Sequence, residues 1–126
     1  MDHFETGRQG ESIACEFLRR KGFRVISRNF RKAYGEIDII ALKDGGYRFV
    51  EVKTVTREMG ESGSRVTSGY RPEEMAHEIK LRKVSKVADT YMESHDLDND
   101  YQIDVVTVVL IPREKRAYCR LYEQVL

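Results

Sequence analysis

The chain reads as one α/β domain, a restriction-endonuclease-like mixed β-sheet flanked by helices in the order α-β-β-β-α-β-β. Three observations predict this. Apolar residues recur at helical spacing in two segments, one near the N-terminus and one past the middle. Between them lie short runs rich in Ile, Val and aromatic residues, separated by glycine-bearing turns. After the second helical segment, residues 103–111 (Ile-Asp-Val-Val-Thr-Val-Val-Leu-Ile) are nearly continuous apolar chain, as a central strand covered on both faces requires. At 126 residues, with no internal repeat and no linker-like stretch, residues 1–126 are expected to form a single domain around a single sheet.

Each element has a local cause. Thr6 with Gln9 three residues on resembles a capping box and is expected to open the first helix. Ala14, Phe17 and Leu18 form its apolar stripe with Ile13 at the edge, and Gly22 ends it. Residues 23–30 read as the first strand. Residues 36–42 and 47–54 read as the next two, because β-branched and aromatic side chains suit a pleated surface. They are joined by Lys43-Asp44-Gly45-Gly46, and Asp-Gly is the strongest short hairpin signal, since a type I′ turn needs positive φ. A two-residue Asp44-Gly45 loop sets Lys43 opposite Gly46. The same register then sets Asp38 opposite Glu51 and Glu36 opposite Lys53.

Residues 55–71 read as a long Gly/Ser-rich loop carrying Arg57, Arg65 and Arg71. Pro72, with Glu73 and Glu74 behind it, suits the first turn of a second helix running to about Ser94. Its stripe is Leu81, Val84, Val87, Ala88 and Tyr91, with Lys80 on the same side. Pro112 ends the buried strand, and 116–122 is an edge strand.

The composition, 40% hydrophobic and 34% charged, is that of a soluble globular protein. No apolar run is long enough to cross a bilayer, the first residues lack a signal-peptide pattern, and Cys15 and Cys119 show no metal-binding spacing. A cytoplasmic location with no membrane partner is therefore expected. Net charge is only +1, but it is segregated. Arg19, Arg20, Lys21, Arg24, Arg28, Arg31 and Lys32 follow one another without an acid, and Lys80, Arg82, Lys83 and Lys86 cluster on the second helix. Separated charge of this kind steers a polyanion to one face.

Asp38, Glu51 and Lys53 bring two carboxylates and an ammonium to neighbouring strand positions. Facing carboxylates repel unless a cation lies between them, and hard divalent cations take carboxylate oxygens. A metal site is the expectation. Glu11 lies on the same side of the first helix as Ala14 and Leu18, where a carboxylate is costly unless paired or bound to a cation. Asp104, at the start of the buried strand, is expected to be structural, bonding an arginine or a backbone group. Other chemistries are excluded. Asp96-Leu97-Asp98-Asn99-Asp100 lacks the Gly and Glu of a calcium loop. His3, His77 and His95 form no zinc pair, and there is no phosphate-binding glycine loop or nucleophile elbow.

Asp38 on one strand and Glu51-Val52-Lys53 on the next resemble the bipartite motif of the PD-(D/E)XK nucleases. Gly10-Glu11 with Ala14, Gly22-Phe23, Arg28-Asn29-Phe30-Arg31, Gly35-Glu36-Ile37-Asp38 and Phe49-Val50-Glu51-Val52-Lys53, in that order, are similar to the YraN family of small bacterial predicted endonucleases. Lys80, Ala88, Tyr91 and Asp104-Val105-Val106 extend the likeness over nearly the whole chain. The resemblance implies that Glu11, Asp38, Glu51 and Lys53 stand at catalytic positions. It implies Mg²⁺ or Mn²⁺ held by Asp38, Glu51 and the Val52 carbonyl with help from Glu11, and hydrolysis of DNA phosphodiester bonds on branched or structured DNA. Ile37 replaces the superfamily's Pro, and Thr54-Val55-Thr56-Arg57 follows Lys53 where the family often has an earlier arginine. Nucleic-acid contacts are expected from Arg28, Arg31, Lys80 and Lys83, to DNA rather than RNA, and the likeness to resolvases implies a homodimer. Two other readings stay open: a nucleic-acid-binding module of nuclease fold with little or no catalysis, and an interaction domain whose charge clusters are merely solvated.

Overall fold

A computed structural model describes residues 3–57 and 81–126. Helix α1 (His3–Arg20) leads into strands β1 (Arg24–Lys32), β2 (Gly35–Lys43) and β3 (Gly46–Thr56). Helix α2 (Leu81–Ser94) precedes strand β4 (Tyr101–Ile111), a 3₁₀ turn (Pro112–Glu114) and strand β5 (Arg116–Tyr122). The strands lie in sequence order in one five-stranded sheet. β3 and β4 are parallel and every other neighbouring pair is antiparallel. The order α-β-β-β-α-β-β is the expected one, and the sheet is mixed. The long loop over 58–71 with Arg65 and Arg71, the helix start at Pro72, and Lys80 lie outside the described residues.

Some boundaries differ from the sequence expectation. α1 begins at His3, three residues before Thr6, so Thr6 and Gln9 lie inside the helix rather than capping it. Its C-terminus behaves as expected. Gly22 adopts φ +93°, Gly22 N–H donates to Arg19 C=O and Phe23 N–H to Leu18 C=O, both at 3.0 Å, which closes the helix in a Schellman motif. β1 continues past residue 30 to Lys32, because Arg31 and Lys32 pair with Glu36 and Gly35. β3 runs to Thr56, so the start of the expected loop is strand.

The sheet separates two apolar layers. On the α1 side, Ala14, Cys15 and Leu18 pack with Phe23, Ile39, Ala41, Val50, Val106 and Val108. On the α2 side, Val84, Val87, Ala88 and Tyr91 pack with Ile37, Ile40, Phe49 and Ile103. Tyr91 meets the Phe30 and Phe49 rings edge-on at 5.2 and 5.7 Å. β4 supplies residues to both layers, which is why its sequence is apolar throughout.

Asp104 is fully buried within β4, and its structural role is as expected. Arg48 Nη1 donates to its Oδ2 at 2.9 Å, while Gln102 Nε2 and Gln124 N–H donate to Oδ1 at 2.9 and 2.8 Å. Arg48 also meets Glu123 at 2.9 Å. With Val125 N–H donating to Ile103 C=O, this network ties the segment after β5 back to the start of β4.

Helix α1 seats closely on β3 at Gly10, which is buried, and a Cβ there would lie 1.9 Å from Thr54 Oγ1. Gly7, one turn earlier, has open space in the same test. Gly10→Ala is therefore expected to cost about 2 kcal/mol or more through overpacking. Gly7→Ala should gain roughly 0.5–1 kcal/mol from helix propensity. Urea unfolding of both variants checks this, and equal midpoints would refute the close seating of α1 on β3.

Candidate functional site

The hairpin that carries the site residues forms as its turn chemistry dictates. Asp44 and Gly45 adopt φ +52° and +82°, and Lys43 pairs with Gly46. The register continues through Leu42–Tyr47, Ala41–Arg48, Ile40–Phe49 and Ile39–Val50, and there the β2–β3 ladder ends. Asp38 and Glu51 are the next residues along, one step beyond it. The expected facing rungs therefore require correction: Asp38–Glu51 and Glu36–Lys53 are not rungs of the ladder. Glu36 instead pairs with Arg31 of β1, and Arg31 Nε meets Glu36 Oε2 at 3.0 Å. Lys53 pairs with Thr107 across the parallel ladder to β4.

The break has a visible cause on the β1 side. Arg28 pairs with Ile39 and Phe30 with Ile37, but Asn29 and Asp38 between them form no rung, and Asn29 is left-handed at φ +54°. Across this point the alternation of side chains slips by one residue. Arg28 reaches toward α1 whereas Phe30 joins the α2-side layer. In β2, Ile37 and Ile40 both belong to the α2 side, and Ile39 to the α1 side. β3 keeps an unbroken register with β4 from Tyr47–Tyr101 to Thr56–Leu110. A kinked β2 thus leaves a straight β3, and a fork opens between them. Counting parity from the turn does not decide which face Asp38 takes here.

The two carboxylates occupy this fork. Asp38 Oδ2 accepts the Val52 N–H at 2.8 Å, and Glu51 Oε2 accepts the Asp38 N–H at 3.3 Å. Each acid thus bonds to backbone across the fork, where carbonyl groups would have continued the ladder. Burial is the main reason both acids are pushed well above the ordinary carboxylate range. For Glu51 the charge of Asp38 comes next, with Glu36 and Glu11 adding to it against the pull of the Asp38 N–H. For Asp38, the Val52 N–H opposes burial, and Glu11 and Glu36 reinforce it. Four carboxylates thus contribute to one negative field.

Glu11 sits on α1 with its side chain 18% exposed, 3.8 Å from Arg28 Nη2. Arg28 Nη2 also meets Ser12 Oγ at 3.3 Å. Among the described residues, no group of three His, Cys, Asp or Glu side chains is gathered closely enough to hold a metal ion. The arrangement is a carboxylate pair with two further acids, Glu11 and Glu36, in electrostatic reach. Of the residues expected at a nucleic-acid surface, Arg28, Arg31 and Lys83 are exposed. Lys83 lies on α2 beside the β1–β2 turn, near Gly35. Sequence reasoning missed the Arg28–Glu11 contact and the kink. The signal for the kink was Asn29, since Asn enters left-handed backbone more readily than other non-glycine residues.

A sequence model of the uncharacterised protein family UPF0102 matches residues 10–108. The chain is 35% identical over 125 residues to a UPF0102 protein of Helicobacter hepaticus, covering 99% of this chain and 97% of the relative. It is 37% identical to one of Campylobacter fetus and 38% identical to one of Campylobacter concisus, each match covering 81% of both chains.

The raised carboxyls set a sign for stability. Acids that bind protons more tightly folded than unfolded contribute stability that is complete below their unfolded pKa. That stability is lost as pH rises through their folded values. In EDTA the protein is therefore expected to lose stability from the ordinary carboxylate range upward through neutral pH. Asp38→Asn keeps an acceptor oxygen and removes a charge, so it should raise the melting temperature at about pH 8 and flatten the fall between about pH 5 and 8. Thermal melts of both proteins measure this. A fall of equal slope in the two would show that Asp38 does not carry it.

Proposed function

This chain belongs to the uncharacterised protein family UPF0102, and from that premise we propose that it is a metal-dependent endonuclease hydrolysing phosphodiester bonds in branched or structured DNA. The observation that carries the reading is the fork in which the half-buried Asp38 and Glu51 are held together against their mutual repulsion. Such a pair is stabilised by a divalent cation, and its hard oxygen donors suit Mg²⁺ or Mn²⁺. The chemistry of the two carboxylates suits such an ion. Asp38 and Glu51 would hold the ion with the Val52 carbonyl, and Glu11 and Glu36 are the further acids within electrostatic reach. A bound cation would neutralise phosphate charge and lower the pKa of a coordinated water.

The protein's own groups do the remaining work. The Val52 and Asp38 N–H groups fix the orientation of the two carboxylates. Lys53, two residues beyond Glu51 on the same strand, shares its face by strand alternation and would stabilise charge developing on the phosphate or orient the attacking water. Arg28, Arg31, Lys80 and Lys83 would receive the DNA backbone. A homodimer belongs to the same proposal, because two copies related by a two-fold axis match a branched DNA of that symmetry.

A second reading has one observation in its favour. No third ligand joins Asp38 and Glu51 among the described residues, which suits a nucleic-acid-binding module without catalysis. Cleavage of junction and flap DNAs in Mg²⁺ or Mn²⁺ separates the two. On the leading reading, wild-type protein cuts, EDTA stops it, and Asp38→Ala and Lys53→Ala lower the rate by about a hundredfold or more with the circular dichroism unchanged. Cleavage persisting in EDTA or in both variants would refute the mechanism. Salt-sensitive binding without cleavage under any metal would select the binding module.

A further inference from the structure

The contact between Arg28 and Glu11 bears on how the metal site would be completed. Glu11 and Glu36 are the further acids whose charge reaches both Asp38 and Glu51, and of the two Glu11 comes from the helix packed on the sheet. The Glu11 carboxylate is nevertheless drawn toward Arg28, 3.8 Å away. The same nitrogen, Arg28 Nη2, also bonds Ser12 Oγ, one residue along the helix from Glu11. The backbone places it there: Arg28 pairs with Ile39, which belongs to the α1-side layer and directly follows Asp38 in β2. The arginine side chain is 38% exposed, so an incoming phosphate can reach it.

The strength of the contact also suits exchange. A long, part-exposed ion pair is weak, and a guanidinium bonds phosphate oxygens with two parallel donors. A phosphodiester at the mouth of the fork would compete for Arg28 on favourable terms. Glu11, released, has three side-chain bonds about which to turn toward Asp38 and Glu51.

We propose that Arg28 is a positioning residue that holds Glu11 away from the Asp38–Glu51 pair until nucleic-acid phosphate takes its place, so that substrate binding completes the metal's ligand set. This rests on the metal reading above and deepens it. It makes the protein poor at binding metal alone and better when DNA is present.

The test is Mn²⁺ titration of the full chain without DNA, followed by calorimetry. Arg28→Gln should bind Mn²⁺ about five- to tenfold more tightly than wild type. Ser12→Ala, which only loosens the anchor, should shift affinity the same way by less. Glu11→Gln should cancel the gain when added in the Arg28→Gln background. If that gain survives Glu11→Gln, it reflects removal of a positive charge and the proposal is wrong. It is equally overturned if Arg28→Gln binds no more tightly than wild type. Asp38→Ala separates the two levels. Mn²⁺ binding by wild type that Asp38→Ala abolishes upholds the metal site whatever Arg28 does. Absence of binding in both wild type and Arg28→Gln removes the metal reading itself.

Discussion

Val52 donates its amide hydrogen to a side chain, Asp38 Oδ2 at 2.8 Å, at the point where β2 would otherwise have continued alongside β3. A strand amide left unpaired in a half-buried sheet costs on the order of 1–3 kcal/mol, so a sheet cannot simply part. It parts here because two acids take over the bonding that the backbone gives up, Asp38 for Val52 and Glu51 for Asp38. Structure and chemistry are thereby coupled. The same carboxylates that satisfy the broken ladder are the ones forced together in a half-buried cleft. Replacing either to probe chemistry also disturbs a backbone amide, which is why Asn for Asp38 and Gln for Glu51 serve better than Ala for asking about charge.

The fork stays open because its two sides are held by different means. β3 is locked to β4 through ten consecutive parallel rungs, Tyr47–Tyr101 to Thr56–Leu110, and cannot follow β2. β4 in turn is fixed at its start by the buried Asp104, whose two oxygens receive donors from Arg48, Gln102 and Gln124. Removing one partner of such a buried pair is expensive, because the other charge is left uncompensated. β2 is less constrained. It bends where left-handed Asn29 and Asp38 drop out of the β1–β2 rungs, while Ile37 and Ile40 remain seated under α2.

The basic residues of β1 have two physical roles that need not conflict. β1 is an edge of the sheet, and Arg24, Arg28, Arg31 and Lys32 on it discourage edge-to-edge pairing with another chain. The same side chains present positive charge beside a negative cleft. Arg31 is engaged with Glu36 and Arg28 with Glu11, so both are tethered by acids near the fork. A polyanion approaching this edge would meet arginines whose present partners are weak and exchangeable.

Local pattern by itself determined the element order, the type I′ turn at Asp44-Gly45, the Gly22 helix stop, the apolar character of β4 and the structural role of Asp104. Each depends on neighbours in sequence or on burial of a whole segment, which residue types report directly. It also identified Asp38, Glu51, Lys53 and Glu11 as the residues to examine. It did not determine how they meet. Counting outward from a correctly read turn assumes an unbroken ladder, and the ladder stops at Ile39–Val50. That break arises from tertiary competition: β3 is held by β4, β2 is bent by its pairing with β1, and only the folded sheet decides which strand yields. The Arg28–Glu11 contact belongs to the same class. It joins a helix to an edge strand 17 positions away in the chain, and no local periodicity encodes a distance set by the packing of α1 on the sheet.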